Sequence, residues 1–241
     1  MIDIHCHILP DLDDGAADLE EAVSMARMAW RSGVTDIAAT PHFQGVEQEL
    51  EHLPSIRRRS QLLTQALARE QIPVRLHPGA EVLCLPQTPA LAMAHRLPTL
   101  GEGSYVLTEF YFDESFAFMD QILSDIAGCG YRIVVAHPER YHAIQRDPGL
   151  AARWARQGYA LQLNKGSILG AFGPEPEAAA HGLLGRGLVH LIATDAHTST
   201  RRTPHVGALL DWARERCDPA FAQILLEENP RRILSGRDLV R

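Results

Sequence analysis

The feature that most constrains the fold of this chain is a regular alternation of short apolar runs with longer amphipathic segments. Seven runs rich in apolar and β-branched residues predict strands: IDI near the N-terminus, then residues 35–40, 74–80, 105–110, 132–137, 159–164 and 189–195. The segments between them have helical periodicity; in residues 18–33, Asp18 fits an N-cap and Gly33 a helix stop. Seven strand-helix repeats predict an α/β protein with a parallel sheet covered on both faces, which we expect to close into a barrel.

The length and composition of the chain favour a single domain. The 241 residues suit one large α/β barrel, and 46% hydrophobic residues suffice for a full core. We find no Pro/Gly/Ser-rich linker and no internal repeat. We therefore expect one domain over residues 1–241.

Charge and cysteine content exclude several classes of partner. The formal net charge is −7, and no long Lys/Arg run is present, so nucleic acid and anionic membranes are not expected partners. No stretch reaches the roughly 18 apolar residues of a membrane span, and the N-terminus lacks the pattern of a signal peptide. The four cysteines have no CxxC spacing, which indicates reduced thiols and a cytoplasmic location.

Residues that can bind metal recur at the ends of nearly all the predicted strands. His5 and His7 follow the first strand, His42 the second, Glu81 the third, Glu109 the fourth, His137 the fifth, and Asp195 and His197 the seventh. The carboxyl ends of barrel strands converge on one face, where such folds build their active sites. A single His or Glu at a strand end is usually an ordinary surface residue, but this joint pattern predicts one shared site.

The first motif, IDIHCHILPDLDDG, adds acidic residues to the cluster. Asp14 is a further candidate ligand because its loop can fold back over the histidines, whereas Asp11 and Asp13 are interpreted as turn residues. Cys6 lies between two candidate ligands and is an alternative ligand. However, residue alternation along an extended segment directs Cys6 away from the face that His5 and His7 share.

The candidate ligands are too numerous for one ion, because zinc takes about four and octahedral Mn or Fe about six. The nine candidates are His5, His7, Asp14, His42, Glu81, Glu109, His137, Asp195 and His197. We expect two or three divalent ions (Mn, Fe or Zn) that share bridging carboxylates and a bridging water or hydroxide. Such a centre hydrolyses esters, since the metals acidify the bound water and stabilise charge on the leaving oxygen.

Two arginines near the predicted site indicate a phosphate monoester as substrate. Arg140 follows His137 by three residues, and Arg202 comes shortly after His197. Guanidinium groups bind phosphate oxygens in a bidentate fork. The alternative for Arg140 is a salt bridge with Glu139 or another surface acid. Cysteine-based phosphatase chemistry is not expected, because none of the cysteines begins a CxxxxxR stretch.

The motifs HCH, TPH, GAE, EF, AHPER and TDAH, in this order and spacing, resemble those of the PHP (polymerase and histidinol phosphatase) superfamily. The DDG turn, LPTL at 97–100, QLN and ENPRRIL at 228–234 are more closely similar to one branch of it. That branch comprises metal-dependent bacterial protein-tyrosine phosphatases linked to capsular and exopolysaccharide synthesis. The similarity extends over nearly the whole chain.

This resemblance implies a distorted (β/α)7 TIM-like barrel of the PHP fold and a trinuclear metal centre held by the nine candidate ligands. It also implies hydrolysis of phosphotyrosine on a cognate autophosphorylating bacterial tyrosine kinase, with Arg140 and Arg202 holding the phosphate. Relatives suggest self-association as a homo-oligomer. In the mechanism that we expect, an activated hydroxide attacks phosphorus in line, and His42 or His197 assists the leaving group as a general acid.

The chain departs from the family pattern at three positions that bear on how the substrate is bound. Phe43 and Gln44 stand where relatives can carry basic residues, and Lys165 stands where a small polar residue is expected. Two alternative functions remain open. One is a small-molecule phosphatase of the same superfamily, acting on histidinol phosphate or a nucleotide. The other is a non-catalytic metal-binding regulatory module that docks on a kinase.

Overall fold

The computed structural model describes residues 1–101 and 103–240, without the side chains of residues 46–52. Within these residues the strands are β1 Ile2–Cys6, β2 Asp36–Ala39, β3 His42–Phe43, β4 Arg75–Pro78, β5 Glu81–Leu83, β6 Tyr105–Glu109, β7 Arg132–Ala136, β8 Ala160–Asn164 and β9 Leu191–Ala193. The helices are α1 Leu19–Arg31, α2 Val46–Arg69, α3 Thr88–Met93, α4 Phe116–Gly128, α5 His142–Arg146, α6 Ala151–Arg156, α7 Lys165–Ile168, α8 Pro174–Gly185, α9 Gly207–Arg216, α10 Pro219–Gln223 and α11 Asn229–Leu234. Short 3-10 segments cover Pro138–Arg140 and Pro148–Leu150, and a π-helical turn covers Ile224–Glu228.

The strands form two parallel sheets, which confirms the predicted α/β class with parallel pairing. One sheet has three strands in the order β1-β2-β4, and the other has six in the order β3-β5-β6-β7-β8-β9. The end of β9 returns to β1: His7 N donates to Ala196 O at 2.8 Å, and Asp195 N donates to His5 O at 2.9 Å. The first and last strands therefore lie side by side at the end of the sheets where the candidate ligands are found.

Two of the predicted strands are each followed by a second short strand that lies beyond the predicted run. The run at 35–40 forms β2, and the next residues to pair with another strand are those of β3. Pro41 lies between the two strands and has no N–H to donate to a neighbouring strand. The run at 74–80 breaks at Gly79, where a Cβ atom would lie 2.9 Å from Leu100 Cδ2. As a result β2 and β4 pair in one sheet, whereas β3 and β5 pair in the other.

These breaks and the observed strand limits correct the predicted positions of four candidate ligands. His5 lies inside β1 rather than after it, and Glu109 is the last residue of β6. His42 is the first residue of β3, and Glu81 is the first residue of β5. The four side chains still lie at the carboxyl end of a strand or of two consecutive short strands. These ligands therefore lie at the end of the sheets that the sequence predicts, although the strand limits differ.

Both faces of the strands other than β4 are largely buried, as the near-continuous apolar runs predict, whereas β4 has exposed residues at both ends. Along β7, Ile133 and Val135 belong to the larger apolar cluster, which packs under the helices. Val134 and Ala136 belong to a second, smaller cluster on the opposite face. This alternation is what the period of two along a strand requires when both faces are covered.

Helix α1 shows the predicted end signals. The Asp18 side chain accepts a hydrogen bond from Glu21 N at 2.9 Å, which satisfies one free N–H group of the first turn. Gly33, at φ +107°, lies just beyond the helix end, where a residue with a side chain would be strained. Across the described residues we find no helix long and apolar enough to cross a membrane.

Candidate metal centre

The structure brings all nine predicted ligands together at one end of the strands. Seven of them fall into three overlapping groups whose donor atoms lie within 4.8 Å of one another: His7, Asp14, His42 and His197; His5, His7 and Glu81; and His42, Glu81 and Glu109. The other two contact members of these groups. His137 Nε2 lies 2.9 Å from Glu81 Oε1, and Asp195 Oδ1 lies 3.4 Å from His5 Nε2.

Glu81 is at the centre of this cluster. Its two carboxylate oxygens lie 3.1 Å from His5 Nε2, 3.2 Å from His7 Nε2 and 3.3 Å from His42 Nδ1. The side chain is only 1% exposed, so these contacts are shielded from water. A buried carboxylate that faces several imidazoles has the geometry of a ligand shared between neighbouring ions.

The backbone is strained at two of the ligands. His137 has φ +35° and directly follows β7, and Asp195 has φ +50° and comes shortly after β9. Residues other than glycine seldom adopt positive φ, and such strain is concentrated at functional sites.

Asp13, which the sequence assigned only to a turn, also orients two histidines. Its Oδ1 accepts from Gly15 N at 2.9 Å, as a turn residue does. Its Oδ2 accepts from His7 Nδ1 at 2.7 Å and from the backbone N of His42 at 3.0 Å. A carboxylate on one ring nitrogen fixes the tautomer and leaves the other nitrogen to bind a metal. The interpretation of Asp13 as a turn residue alone was therefore wrong.

Gly15 explains why the DDG turn of the first motif needs a glycine. A Cβ atom on Gly15 would lie 2.1 Å from His7 O and 2.6 Å from His7 Cβ. The loop can therefore fold back onto His7 only because residue 15 has no side chain. This close approach brings Asp14 Oδ1 to 3.3 Å from His42 Nε2 and 3.4 Å from His197 Nε2.

Two amides of β8 form a second supporting layer that sequence reasoning missed. His5 Nδ1 donates to Gln162 Oε1 at 2.9 Å, and Gln162 Nε2 donates to Asn164 Oδ1 at 2.8 Å. Asn164 Nδ2 in turn donates to Asp195 Oδ2 at 2.5 Å. The available signal was two polar residues at alternate positions of an otherwise apolar strand, which places both amides on one buried face.

The electrostatics of the cluster favour bound positive charge. Burial alone would lower the pKa of His7, but hydrogen bonds with Asp13 and Glu81 outweigh it and raise the pKa to about 10. Burial is likewise outweighed at His42, where Asp14 and Glu109 raise the pKa to about 11. The contacts of Asp14 with His197 and His42 hold the pKa of its carboxyl well below the usual range. Groups that stabilise buried protons in this way are suited to divalent cations, which compete with protons for the same lone pairs.

Unsatisfied polar atoms support the fit to metal ions. Among the side chains that the structure describes, the buried Asp195 Oδ1 and His197 Nε2 have no hydrogen-bond partner. Buried polar atoms are nearly always paired, so these two lone pairs are available to a ligand. The imidazole and carboxylate donors suit Mn, Fe and Zn.

The two predicted arginines lie beside the cluster. Arg202 Nη2 forms an ion pair with Asp195 Oδ2, and Arg140 Nη1 lies 3.8 Å from the same oxygen. The alternative partner of Arg140, Glu139, is fully buried and instead accepts a hydrogen bond from Asn164 N at 2.9 Å. Both guanidinium groups are partly exposed, so their remaining N–H groups are open to a phosphate.

The three residues that depart from the family pattern differ in their burial and contacts. Phe43 is fully buried in the larger apolar cluster, and Gln44 is exposed. Lys165 is 9% exposed, and its Nζ donates to Thr203 O and, at 2.9 Å, to His205 O. The Lys165 ammonium therefore fastens the loop that follows Arg202 instead of facing a substrate.

Cys6 lies on the face that residue alternation predicts. It is fully buried in the larger apolar cluster, and it belongs to none of the three ligand groups found among the described residues. Burial raises the pKa of the Cys6 thiol well above its usual value. A buried thiol of this kind is neither a nucleophile nor a ready metal ligand.

The fold and site together define a class: α/β proteins that collect metal-binding side chains at the carboxyl ends of parallel strands. Residues 1–235 match the family model for capsular polysaccharide synthesis, CpsB/CapC. The chain belongs to this family, which confirms the resemblance noted from the sequence.

Individual relatives agree with this assignment. The chain is 34% identical over 241 residues to the tyrosine-protein phosphatase YwqE of Bacillus subtilis (strain 168), covering 100% of this chain and 94% of YwqE. It is 28% identical over 245 residues to the tyrosine-protein phosphatase CpsB of Streptococcus pneumoniae, covering 97% and 98% of the two chains. A solved structure from a crystallographic study of YwqE and CpsB, described as metal-dependent tyrosine phosphatases, matches with a TM-score of 0.88 and 33% identity. That match covers 100% of this chain and 97% of the solved one.

Proposed function

We propose that this protein is a metal-dependent phosphomonoester hydrolase, and specifically a protein-tyrosine phosphatase. Its substrate in this proposal is a cognate bacterial tyrosine kinase of capsule or exopolysaccharide synthesis. One observation carries the proposal: imidazole and carboxylate groups surround Glu81 beside the guanidinium groups of Arg140 and Arg202. The family and the names of its relatives support the same reaction.

We assign metal binding to His5, His7, Asp14, His42, Glu81, Glu109, His137, Asp195 and His197. Two or three ions of Mn, Fe or Zn suit this set, because Glu81 belongs to two of the three ligand groups and His7 and His42 each belong to two. When bound, such ions acidify water and neutralise charge on the phosphate oxygens. We also propose that the two sheets form one distorted (β/α)7 barrel of the PHP type within a single domain.

The chain's own residues bind and orient the phosphate. Arg140 and Arg202 contact the phosphate oxygens, while Asp195 holds both guanidinium groups from the protein side. The tyrosyl oxygen departs easily because a phenol has a pKa of about 10. His42, with 25% of its side chain exposed, and His197 face the same Asp14 oxygen. The leaving oxygen takes its proton from whichever of these two histidines is not firmly bound to a metal, or else from a metal-bound water.

Two further features belong to the same proposal. We place the protein in the cytoplasm, since all four cysteines are free thiols, as expected in a reducing compartment.

We also propose that the protein assembles as a homo-oligomer, as relatives of this kind suggest. Gel filtration combined with light scattering measures the mass directly, and a mass of one chain contradicts the oligomer.

Substrate and metal dependence can be tested together. We expect turnover of a phosphotyrosine peptide at saturating Mn²⁺ to exceed turnover of histidinol phosphate and of a nucleotide. His137→Ala and Asp195→Ala should lose activity and bound metal together, because both side chains lie in the cluster. His142→Ala, an exposed histidine five positions from His137, is the matched control.

Each outcome of this experiment discriminates between functions. Preference for histidinol phosphate or a nucleotide would favour a small-molecule phosphatase. Metal binding without turnover of any ester would favour a regulatory module. Full activity of the His137→Ala and Asp195→Ala variants without bound metal would end the proposal.

A further inference from the structure

The guanidinium of Arg140 contacts two phenyl rings. Its Cζ is 4.2 Å from the ring centroid of Phe112 and 4.6 Å from that of Phe172. Both distances fall within the roughly 6 Å range of cation–π attraction. Phosphate binds along the N–H edge of a guanidinium, so ring contacts at its central carbon leave that edge available.

Phe172 contacts both phosphate-binding arginines. Its ring centroid is 5.9 Å from Arg202 Cζ in addition to the 4.6 Å contact with Arg140. Two like charges this close repel each other. A ring face attracts both cations without neutralising either of them, so both remain available to an anion.

The ring of Phe172 rests directly on the backbone of Gly166. A Cβ atom on Gly166 would lie 2.6 Å from Phe172 Cε2 and 2.7 Å from its Cζ. The turn between them is closed by a hydrogen bond from Ala171 N to Gly166 O at 2.8 Å. Glycine at position 166 is therefore what lets the ring sit low enough to reach Arg140.

Phe112, the second ring that contacts Arg140, is also held in place by its neighbours. His142 N donates to Phe112 O at 2.8 Å, and the Phe112 ring packs edge-on to His137 with centroids 6.0 Å apart. The direct ion-pair contact of Arg140, with Asp195, is long at 3.8 Å. The two rings therefore add to this single long ion pair in restricting the Arg140 guanidinium.

We propose that Phe172, seated on Gly166, is a positioning residue that holds Arg140 and Arg202 ready to bind phosphate. This inference rests on the proposed function, because it assigns these two arginines to the phosphate. Phe172 touches the substrate through neither charge nor hydrogen bond; it acts by restricting the guanidinium groups. Preorganised cations bind an anion more tightly because less side-chain entropy is lost on binding.

The test compares Phe172→Leu with Phe172→Tyr. Leucine keeps an apolar side chain but has no ring, whereas tyrosine keeps the ring, so only the leucine variant should lose the cation–π contacts. We expect Phe172→Leu to weaken binding of inorganic orthophosphate, measured by calorimetry, by about tenfold. KM for a phosphotyrosine peptide should rise by a similar factor with little change in kcat, because the phosphate is held in both ground and transition states. Metal content should equal that of the wild type.

Gly166→Ala provides an independent perturbation of the same contact. Its methyl group must push the Phe172 ring away, so phosphate affinity should fall as it does in Phe172→Leu. The double variant should be no weaker than Phe172→Leu alone, because leucine has already removed the contact that the methyl group disturbs.

The results separate this proposal from the proposed function. Equal orthophosphate affinity in Phe172→Leu and wild type would overturn the positioning role, as would an equal loss in Phe172→Tyr or additive losses in the double variant. Wild type that binds orthophosphate but does not hydrolyse phosphotyrosine would count against the proposed function instead. The phosphate affinities of the variants would still decide the role of Phe172.

Discussion

Asp13→Asn should weaken metal binding without unfolding the protein. The Asp13 carboxylate accepts from His7 Nδ1 at 2.7 Å, from His42 N at 3.0 Å and from Gly15 N at 2.9 Å. Asparagine has the same shape but a single acceptor oxygen, so its NH2 group must face at least one donor. A hydrogen bond to a charged group contributes about 1.5–3 kcal/mol and a neutral one about 1 kcal/mol. The difference, about 0.5–2 kcal/mol, corresponds to a loss of metal affinity of about two- to thirtyfold, which overlaps the range typical of residues that orient metal ligands.

Equilibrium dialysis against Mn²⁺, with kcat measured on the same samples, checks this magnitude. Asp11→Asn is the matched control, because Asp11 lies in the same loop with its side chain 80% exposed and pairs with Arg59 at 3.3 Å. The control should bind metal as the wild type does. If Asp13→Asn also retains wild-type affinity, Asp13 does not orient His7, and the reasoning from the hydrogen bonds is refuted.

Three further predictions concern the rest of the fold. Lys165→Met removes the ammonium that fastens the loop after Arg202, so denaturant unfolding should show a loss of about 1–3 kcal/mol and KM should rise; an unchanged KM would contradict this role. Burial alone would raise the pKa of Asp36, but hydrogen bonds from Arg75 prevail and lower it to about 2 from 3.8. Asp36 therefore stabilises the fold above pH 3.8, and this stability is lost as the pH falls towards 2. Because Arg75 is 76% exposed, water screens its ion pair with Asp36. We therefore expect the acid-dependent loss of unfolding free energy to be only about 1 kcal/mol smaller in Asp36→Asn than in the wild type. An unaltered pH profile of unfolding would refute the assignment. Cys6→Ser should keep most of the activity per bound metal, since the thiol is buried in the apolar core; a folded, metal-loaded variant with no turnover would point to cysteine chemistry.

The positions of the candidate ligands could be predicted because they depend on strand periodicity and on chain direction. His137 and Asp195 lie far apart in sequence, yet each comes at the carboxyl end of an apolar run, and parallel strands bring such ends together. The α/β class follows from the same alternation of short apolar and longer amphipathic segments. Neither inference requires knowledge of individual contacts.

The supporting residues could not be predicted in the same way. The role of Asp13 depends on which of its oxygens faces His7, and the contact between Gly166 and Phe172 depends on a close approach in space. Likewise, the strand break at Gly79 follows from packing against a distant residue, Leu100. Residue type and spacing do not encode these geometric details, because they arise only when separate elements pack together.

The central claim is that one cluster of imidazoles and carboxylates holds the divalent ions on which phosphotyrosine hydrolysis depends. Anomalous scattering from crystals of the active, Mn²⁺-loaded protein tests it most directly. We expect anomalous peaks between His5, His7, Glu81 and their neighbours, within about 2–2.5 Å of the donor atoms. Active crystals with peaks only elsewhere, or with none, would contradict it.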